Sequence, residues 1–166
     1  MNIYTARNIP DAKGRRIAIG DVNGCLYAFA ALLKKQLKIS KDDQVFILGD
    51  LIDKGENSAL VLDLIIDLKV SGHQIFPIKG NHERKFLTAY SCGFEFFESY
   101  LEEYNSLDLL EGELDQYLHL ISGFEYYVEL EDFFLSHVGL NENSINPFTD
   151  LRGMFPKVQF NLNVQQ

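Results

Sequence analysis

The chain has 166 residues, of which 46% are hydrophobic, and this length and composition predict one folded domain over residues 1–166. Charge is unevenly divided: residues 1–85 carry 13 Lys and Arg against 10 Asp and Glu, a net +3, whereas residues 86–166 carry 2 against 14, a net −12. The acidic part repels phosphate backbones, so general nucleic-acid binding is not expected. The polar N-terminus and the shortness of the apolar runs argue against a secretory signal and a membrane span, which predicts a cytoplasmic protein.

Strand and helix signals alternate through the first 85 residues. Short apolar runs at 15–19, 44–48 and 74–78 predict three strands. Apolar residues at helical spacing predict helices between these strands, over 26–37 and 60–68. This order predicts parallel strands joined by helical crossovers, and ligands of such sheets bind beyond the carboxyl ends of the strands.

The second half of the chain is predicted to be helical first and extended later. Residues 86–122 are expected to form helices with an irregular joint near Asn105 and Ser106, and their dense aromatic residues (94–104) are expected to pack against the sheet. Strands are predicted at 125–129 and 133–138, joined by an acidic turn at Glu131 and Asp132. The chain is therefore expected to belong to the α/β class.

Polar, glycine-flanked clusters follow the predicted strands, and they contain Asp21, Asn23, Asp50, Asp53, Asn81, His82 and His137. An aspartate directly after a buried strand is costly unless something neutralises it. Carboxylate, amide and imidazole groups together suit Mn, Fe, Zn or Mg. Each cluster alone also fits a helix N-cap or, for His137, a core histidine, so the metal site depends on their convergence at one edge.

The clusters form a series: GDVNG at 20–24, GDLIDKG at 49–55, GNHE at 80–83 and LSHVGL at 135–140. This ordered series resembles the calcineurin-like metallophosphoesterases, in particular their serine/threonine protein phosphatase branch. The sequence around the motifs is similar to that of small bacterial or phage members. The resemblance covers residues 14 to about 155. It implies a β-sandwich flanked by helices, an αββα arrangement, here with an incomplete second sheet.

The resemblance also implies a role for each residue that occupies a motif position. It implies two divalent metal ions, manganese first and Fe, Zn or Mg as alternatives, and attack on a phosphate monoester by a hydroxide that bridges them. The implied metal ligands are Asp21 and Asn23 for the first ion, Asp50 as the bridge, and Asn81 and His137 for the second ion. His82 would protonate the leaving oxygen, Asp53 would orient its ring, and Lys54 would bind the substrate phosphate.

The sequence departs from the family pattern in three ways. Asn23 stands where the family has a metal-binding His, so the affinity of the first metal site is expected to fall. Lys54 stands where the family has Arg, which keeps the charge but loses the bidentate fork. No histidine follows His137, where the family has one more metal ligand, so the domain is expected to be shortened at its C-terminus.

These observations lead to three hypotheses about function. The first is a phosphatase that acts on a phosphoprotein or a small phosphate ester with a weakened dinuclear site. The second is a catalytically degenerate or truncated relative that binds a metal or a partner. The third is a dinucleoside polyphosphate hydrolase. A shortened sandwich would also expose a strand edge or apolar face, which is predicted to be covered by the tail or by a second copy of the chain.

Overall fold

The computed structural model describes residues 9–131 and 134–138. Its first half contains a three-stranded parallel sheet whose strands lie in chain order, with Ile17 beside Val45 and Val45 beside Ile75. The elements are β1 (Arg16–Ile19), α1 (Leu26–Ala31), which continues into a π-helical segment (Leu32–Leu37), β2 (Gln44–Ile47), α2 (Ser58–Val70) and β3 (Gln74–Pro77). The predicted alternation of strands and helices is thus confirmed.

The second half of the structure contains four helices and a two-stranded sheet. They are α3 (Asn81–Ser91), α4 (Phe94–Glu103), α5 (Asp108–Glu111), α6 (Leu114–Ser122), β4 (Tyr127–Glu129) and β5 (Phe134–Ser136). The predicted joint near Asn105 lies between α4 and α5. β4 and β5 pair antiparallel, and the predicted turn at 131–132 falls partly outside the described residues. The predicted class, a mixed α/β fold with two sheets and flanking helices, is confirmed.

The central strand β2 places apolar side chains on both faces of its sheet. All four of its residues are buried, because helices cover one face and the second sheet covers the other. Val45 and Ile47 join the large core formed with the helices, whereas Phe46 joins Ile78 and Val128 in a smaller core. This smaller core, which includes a residue of β4, packs the two sheets against each other.

The aromatic residues of α4 differ in part from the prediction. The ring of Phe97 lies 5.2 Å from that of Phe86 of α3, so the buried side of α4 packs on a neighbouring helix. Phe94 and Phe96 are 65% and 68% exposed, and the expectation that they pack against the sheet is wrong. Aromatic density alone does not distinguish a buried residue from an exposed one, because residues three or four apart share one face of a helix and the residues between them lie on other faces.

An apolar groove of about 430 Å³ lies between β3 and α6, with Phe76, Pro77, Leu120 and Val128 among its walls. The tail at 156–166, which was expected to cover such a face, lies outside the described residues, and the expected homo-oligomer stays a prediction. Within the described part of the chain, no helix has the length and apolarity that a membrane crossing requires.

Candidate active site

The loops that follow β1, β2 and β5 bring Asp21, Asp50 and His137 together. One ligand atom from each lies within 4.8 Å of the others, and Nε2 of His137 lies 3.5 Å from Oδ1 of Asp50. The other ring nitrogen of His137, Nδ1, lies 2.7 Å from the carbonyl oxygen of Leu48. Because a carbonyl oxygen only accepts, Nδ1–H donates to Leu48, and this hydrogen bond turns Nε2 toward Asp50.

The donor set around Nε2 of His137 suits a divalent cation. Oδ1 of Asn81 lies 2.8 Å from this nitrogen, so an amide oxygen joins the two carboxylates and the imidazole. Asp50 is buried and Asp21 is exposed, which leaves one side of the cluster open to solvent. Oxygen and imidazole donors without thiolates favour Mn, Fe, Zn or Mg, so the residues present fit the class of metal that the resemblance implies.

Glu83 holds the backbone of this cluster in place. It is fully buried, and its carboxylate accepts hydrogen bonds from the N–H groups of Leu51 and Gly80 at 2.6 and 2.8 Å and from that of Asp50. Burial raises the pKa of the Glu83 carboxyl, and the nearby charge of Asp50 raises it further. The sequence offered Glu83 only as the last letter of a motif and gave it no role.

The backbone at Asp50 requires this support because it adopts an unusual conformation. Asp50 has a φ of 51° and Gly49 one of 98°, both in the left-handed region. A Cβ at Gly49 would lie 2.7 Å from Nδ1 of His137, so the close approach of β2 to His137 requires glycine there. The turn after β2 is therefore shaped to present the Asp50 carboxylate toward His137.

His82 and Asp53 form a buried pair beside the cluster. Nδ1 of His82 lies 2.6 Å from Oδ2 of Asp53, and Nε2 lies 3.8 Å from Oδ2 of Asp50. Since a carboxylate accepts, Nδ1–H donates to Asp53, and the ring therefore presents Nε2 on the side of Asp50. The structure thus provides the contact through which Asp53 was predicted to orient the ring of His82.

Two residues to which the sequence gave no role in the site complete the environment of Asp53. The hydroxyl of Ser106 donates to Oδ1 of Asp53 at 2.6 Å, and the hydroxyl of Tyr100 donates to Oδ2. Burial, and then the charge of Asp53, raise the pKa of Tyr100, which keeps its hydroxyl a donor. Tyr100 and Ser106 lie 47 and 53 residues from Asp53 along the chain, so no local pattern could have linked them to it.

Asn23 and Lys54 contact each other at the exposed end of the site. Nζ of Lys54 donates to Oδ1 of Asn23 at 3.0 Å, and the backbone N–H of Asn23 donates to the carbonyl of Asp50 at 2.7 Å. Asp53 and Lys54 have φ values of 74° and 65°, again in the left-handed region. The structure thus brings all the predicted site residues to one edge, and the roles given to them stay predictions.

Comparison with known proteins identifies the family. Residues 14–159 match the family described as calcineurin-like phosphoesterase. The chain belongs to this family. Its fold agrees with two solved structures, "a putative diadenosine tetraphosphatase" (24% identity, TM-score 0.63, 86% of this chain and 57% of that one) and a protein serine/threonine phosphatase from Saccharomyces cerevisiae (20% identity, TM-score 0.54, 76% and 42%).

Curated relatives of this family member include proteins named bis(5'-nucleosyl)-tetraphosphatase, symmetrical. The one from Buchnera aphidicola subsp. Schizaphis graminum is 32% identical over 97 residues, which cover 55% of this chain and 34% of the relative. The one from Wigglesworthia glossinidia brevipalpis is 40% identical over 73 residues, 44% of this chain and 26% of the relative. The matched part of the chain thus spans about a third or less of these relatives' length.

Proposed function

We propose that the protein is a metal-dependent phosphoesterase in which His82 acts as the general acid. The observation that carries the proposal is the position of the His82–Asp53 pair, whose Nε2 faces Asp50 at 3.8 Å while Asp50 lies within the cluster of Asp21 and His137. A candidate proton donor and a candidate cation site therefore lie next to each other at the carboxyl edge of the parallel sheet.

Asp21, Asp50, Asn81 and His137 are the residues that would hold the metal. A bound divalent ion would lower the pKa of a water molecule and offset the charge of the phosphate. The hydrogen bond from His137 to Leu48 orients the ring for this purpose, and the hydrogen bonds from Glu83 to the backbone fix the position of Asp50. The site is thus supported by contacts that do not themselves involve the ion.

His82 would donate a proton to the leaving oxygen as a water oxygen, its proton lost to solvent, bonds to phosphorus and the bond from the leaving oxygen to phosphorus breaks. The leaving oxygen keeps the electron pair of that bond, and a proton from Nε2 neutralises the charge that develops on it. Asp53 keeps the other ring proton at Nδ1 and stabilises the charged ring, as the carboxylate of a catalytic triad does. Lys54 would place its positive charge on the substrate phosphate.

Turnover of p-nitrophenyl phosphate at neutral pH, with and without added Mn²⁺, tests this proposal. We expect turnover that requires the metal and falls by a factor of about 10² or more in the His82→Ala variant. His73→Ala is the matched control, because His73 lies between α2 and β3 and contacts Ser71. Metal-independent turnover, or equal turnover in both variants, would contradict the proposal.

Absence of turnover with any metal from a folded sample would favour the second hypothesis, a degenerate relative that binds a metal or a partner. Asn23 and Lys54 are the observed residues that motivate this alternative, since both differ from the family pattern. Metal binding without turnover would then identify a binding module.

The substrate is either a phosphate monoester, including a phosphoprotein, or a dinucleoside polyphosphate. The names of the curated relatives favour a dinucleoside tetraphosphate, and the resemblance to serine/threonine phosphatases favours a phosphoprotein. Comparison of kcat/KM for diadenosine tetraphosphate, a phosphoserine peptide and p-nitrophenyl phosphate separates the two. A preference of at least tenfold for the dinucleotide would assign the first class, and the reverse preference would assign the second.

A further inference from the structure

We propose that the ammonium group of Lys54 supplies one of the two positive charges of this site, so that the protein binds one divalent ion instead of two. The inference rests on the proposed function, because it concerns how that site balances the charge of a phosphate ester. It changes the expected metal content of the protein and gives Lys54 and Asn23 a joint role.

The main evidence is the hydrogen bond between Lys54 and Asn23. Nζ of Lys54 lies 3.0 Å from Oδ1 of Asn23, which is the atom that would have to bind the first metal ion. A divalent ion needs a ligand oxygen at about 2.0 to 2.6 Å. An ammonium group on the same oxygen would lie close to that ion and repel it, so Asn23 serves one cation or the other.

The backbone places Lys54 beside Asn23, so the contact does not depend on the side chain alone. Gly55 packs so closely on the residues at 23–25 that a Cβ at this position would overlap the carbonyl oxygen of Asn23. The N–H of Lys54 donates to the carbonyl of Tyr104 at 2.7 Å, and the amide of Asn105 donates to the carbonyl of Gly55 at 2.9 Å. Hydrogen bonds with Tyr104 and Asn105 and close packing on the loop of Asn23 therefore fix the turn at Lys54.

The remaining ligands are sufficient for one ion. Asp21, Asp50 and His137 place their ligand atoms within 4.8 Å of one another, and Asn81 contacts Nε2 of His137. An ammonium group has three N–H donors, and Asn23 uses one of them. The other two can donate to phosphate oxygens. A metal ion bound to Asn23 would instead coordinate those oxygens directly.

Counting bound manganese tests the inference. The full chain would be dialysed to equilibrium against Mn²⁺, its metal content measured by mass spectrometry, and its bound Mn²⁺ examined by electron paramagnetic resonance. We expect one ion per chain in the unmodified protein, with the six-line spectrum of an isolated Mn²⁺. In Lys54→Met, or in Lys54→Gln if the first variant does not fold, we expect a second ion and a spectrum altered by the coupling of two neighbouring ions.

Two further variants test whether the positive charge at position 54 excludes the second ion. Lys54→Arg retains the positive charge and should still bind one ion. Lys34→Met removes an exposed lysine from the π-helical segment and should also bind one ion. A second ion in either of these variants would contradict a specific role for the charge at position 54.

The outcomes distinguish this inference from the proposed function. Two ions in the unmodified protein, together with metal-dependent turnover, would overturn the inference and leave the function intact. One ion in both the unmodified protein and the neutral variants would show that Lys54 does not exclude the second ion, and would also overturn it. No bound manganese in a folded sample would count against both.

Discussion

The backbone N–H of Asp50 donates to the carboxylate of Glu83 at 2.9 Å, although the two residues lie 33 positions apart. The same carboxylate accepts from Gly80, so Glu83 ties the turn after β2 to the turn after β3. These are the two turns that carry Asp50 and Asn81. The geometry of the candidate metal site therefore depends on a carboxylate whose oxygens are occupied by backbone N–H groups.

Replacement of Glu83 by Gln should destabilise the protein. Gln has nearly the same size, but its NH₂ group would face backbone N–H donors that now have an acceptor. We expect the free energy of unfolding in urea to fall by about 2 to 4 kcal/mol, as when buried hydrogen bonds to a charged group are lost. The exposed Glu98 of α4 provides the control: Glu98→Gln should change the same quantity by less than about 0.5 kcal/mol. Equal effects of the two changes would show that the buried carboxylate is not needed.

Loss of the Tyr100 hydroxyl should affect turnover through Asp53. Tyr100→Phe removes one donor to Asp53, which leaves more negative charge for the ring of His82. We expect kcat to fall by about tenfold with little change in KM. Tyr117→Phe is a matched control, because that hydroxyl donates to Asp63 at 2.8 Å instead.

A purely structural role for Tyr100 would give a different result. The stability of Tyr100→Phe would then fall while the kcat of the folded variant stayed unchanged. Measuring kcat, KM and the urea midpoint on the same samples separates the two roles.

A methyl group at Gly80 should disrupt the site, whereas one at Gly20 should not. A Cβ at Gly80 would overlap Oδ1 of Asp50 and lie 2.9 Å from Oε2 of Glu83, whereas a Cβ at Gly20 has no neighbour within 4 Å. We expect Gly80→Ala to weaken Mn²⁺ binding by at least about tenfold in calorimetric titrations, because Asp50 must move. Gly20→Ala should bind Mn²⁺ like the unmodified protein. Unchanged binding in Gly80→Ala would mean that the turn after β2 adapts without cost.

The ion pair between Arg15 and Asp43 predicts a loss of stability in acid. The guanidinium of Arg15 donates to both carboxylate oxygens of Asp43, and the hydrogen bonds from Arg15 and Ser40 hold the pKa of that carboxyl well below its usual range. The folded-state pKa is depressed, so the folded state binds fewer protons than the unfolded one as the pH falls below about 4. The stability that Asp43 contributes is present above that range and is lost as the pH falls through it.

Asp43→Asn should reveal this contribution. We expect the variant to be less stable than the unmodified protein by about 1 to 2 kcal/mol at pH 7 and to show a smaller further loss between pH 4 and pH 2. Urea unfolding at several pH values measures both. Its exposed neighbour Asp42 provides the comparison, since Asp42→Asn should retain the acid dependence of the unmodified protein. If Asp43→Asn still loses stability steeply in acid, other carboxylates are responsible for that loss.

The parallel sheet and most of the site were predictable from the sequence because both leave local signals. β2 is buried on both faces and therefore appears as an uninterrupted apolar run, and the turns after the strands carry the matched motifs. The contacts of Tyr100 and Ser106 with Asp53 were not predictable. They arise from the path of α4 and the joint after it, which no periodicity within those segments encodes.

The contact between Lys54 and Asn23 could not be predicted for a different reason. Each residue was recognised separately as a departure from the family pattern. Their pairing depends on how closely Gly55 approaches the loop of Asn23, which is a property of backbone packing and not of residue type. A substitution at either position therefore has to be interpreted together with the other.

The left-handed turn at Asp53 and Lys54 has a consequence for attempts to stabilise this protein by directed evolution. Glycine adopts such φ values more readily than lysine, so a screen for heat resistance alone would enrich glycine at position 54, whereas the buried hydrogen bonds of Asp53 retain aspartate at position 53. The surviving clones would have lost the amine beside Asn23. Selection for heat resistance and selection for turnover should therefore favour different residues in this turn.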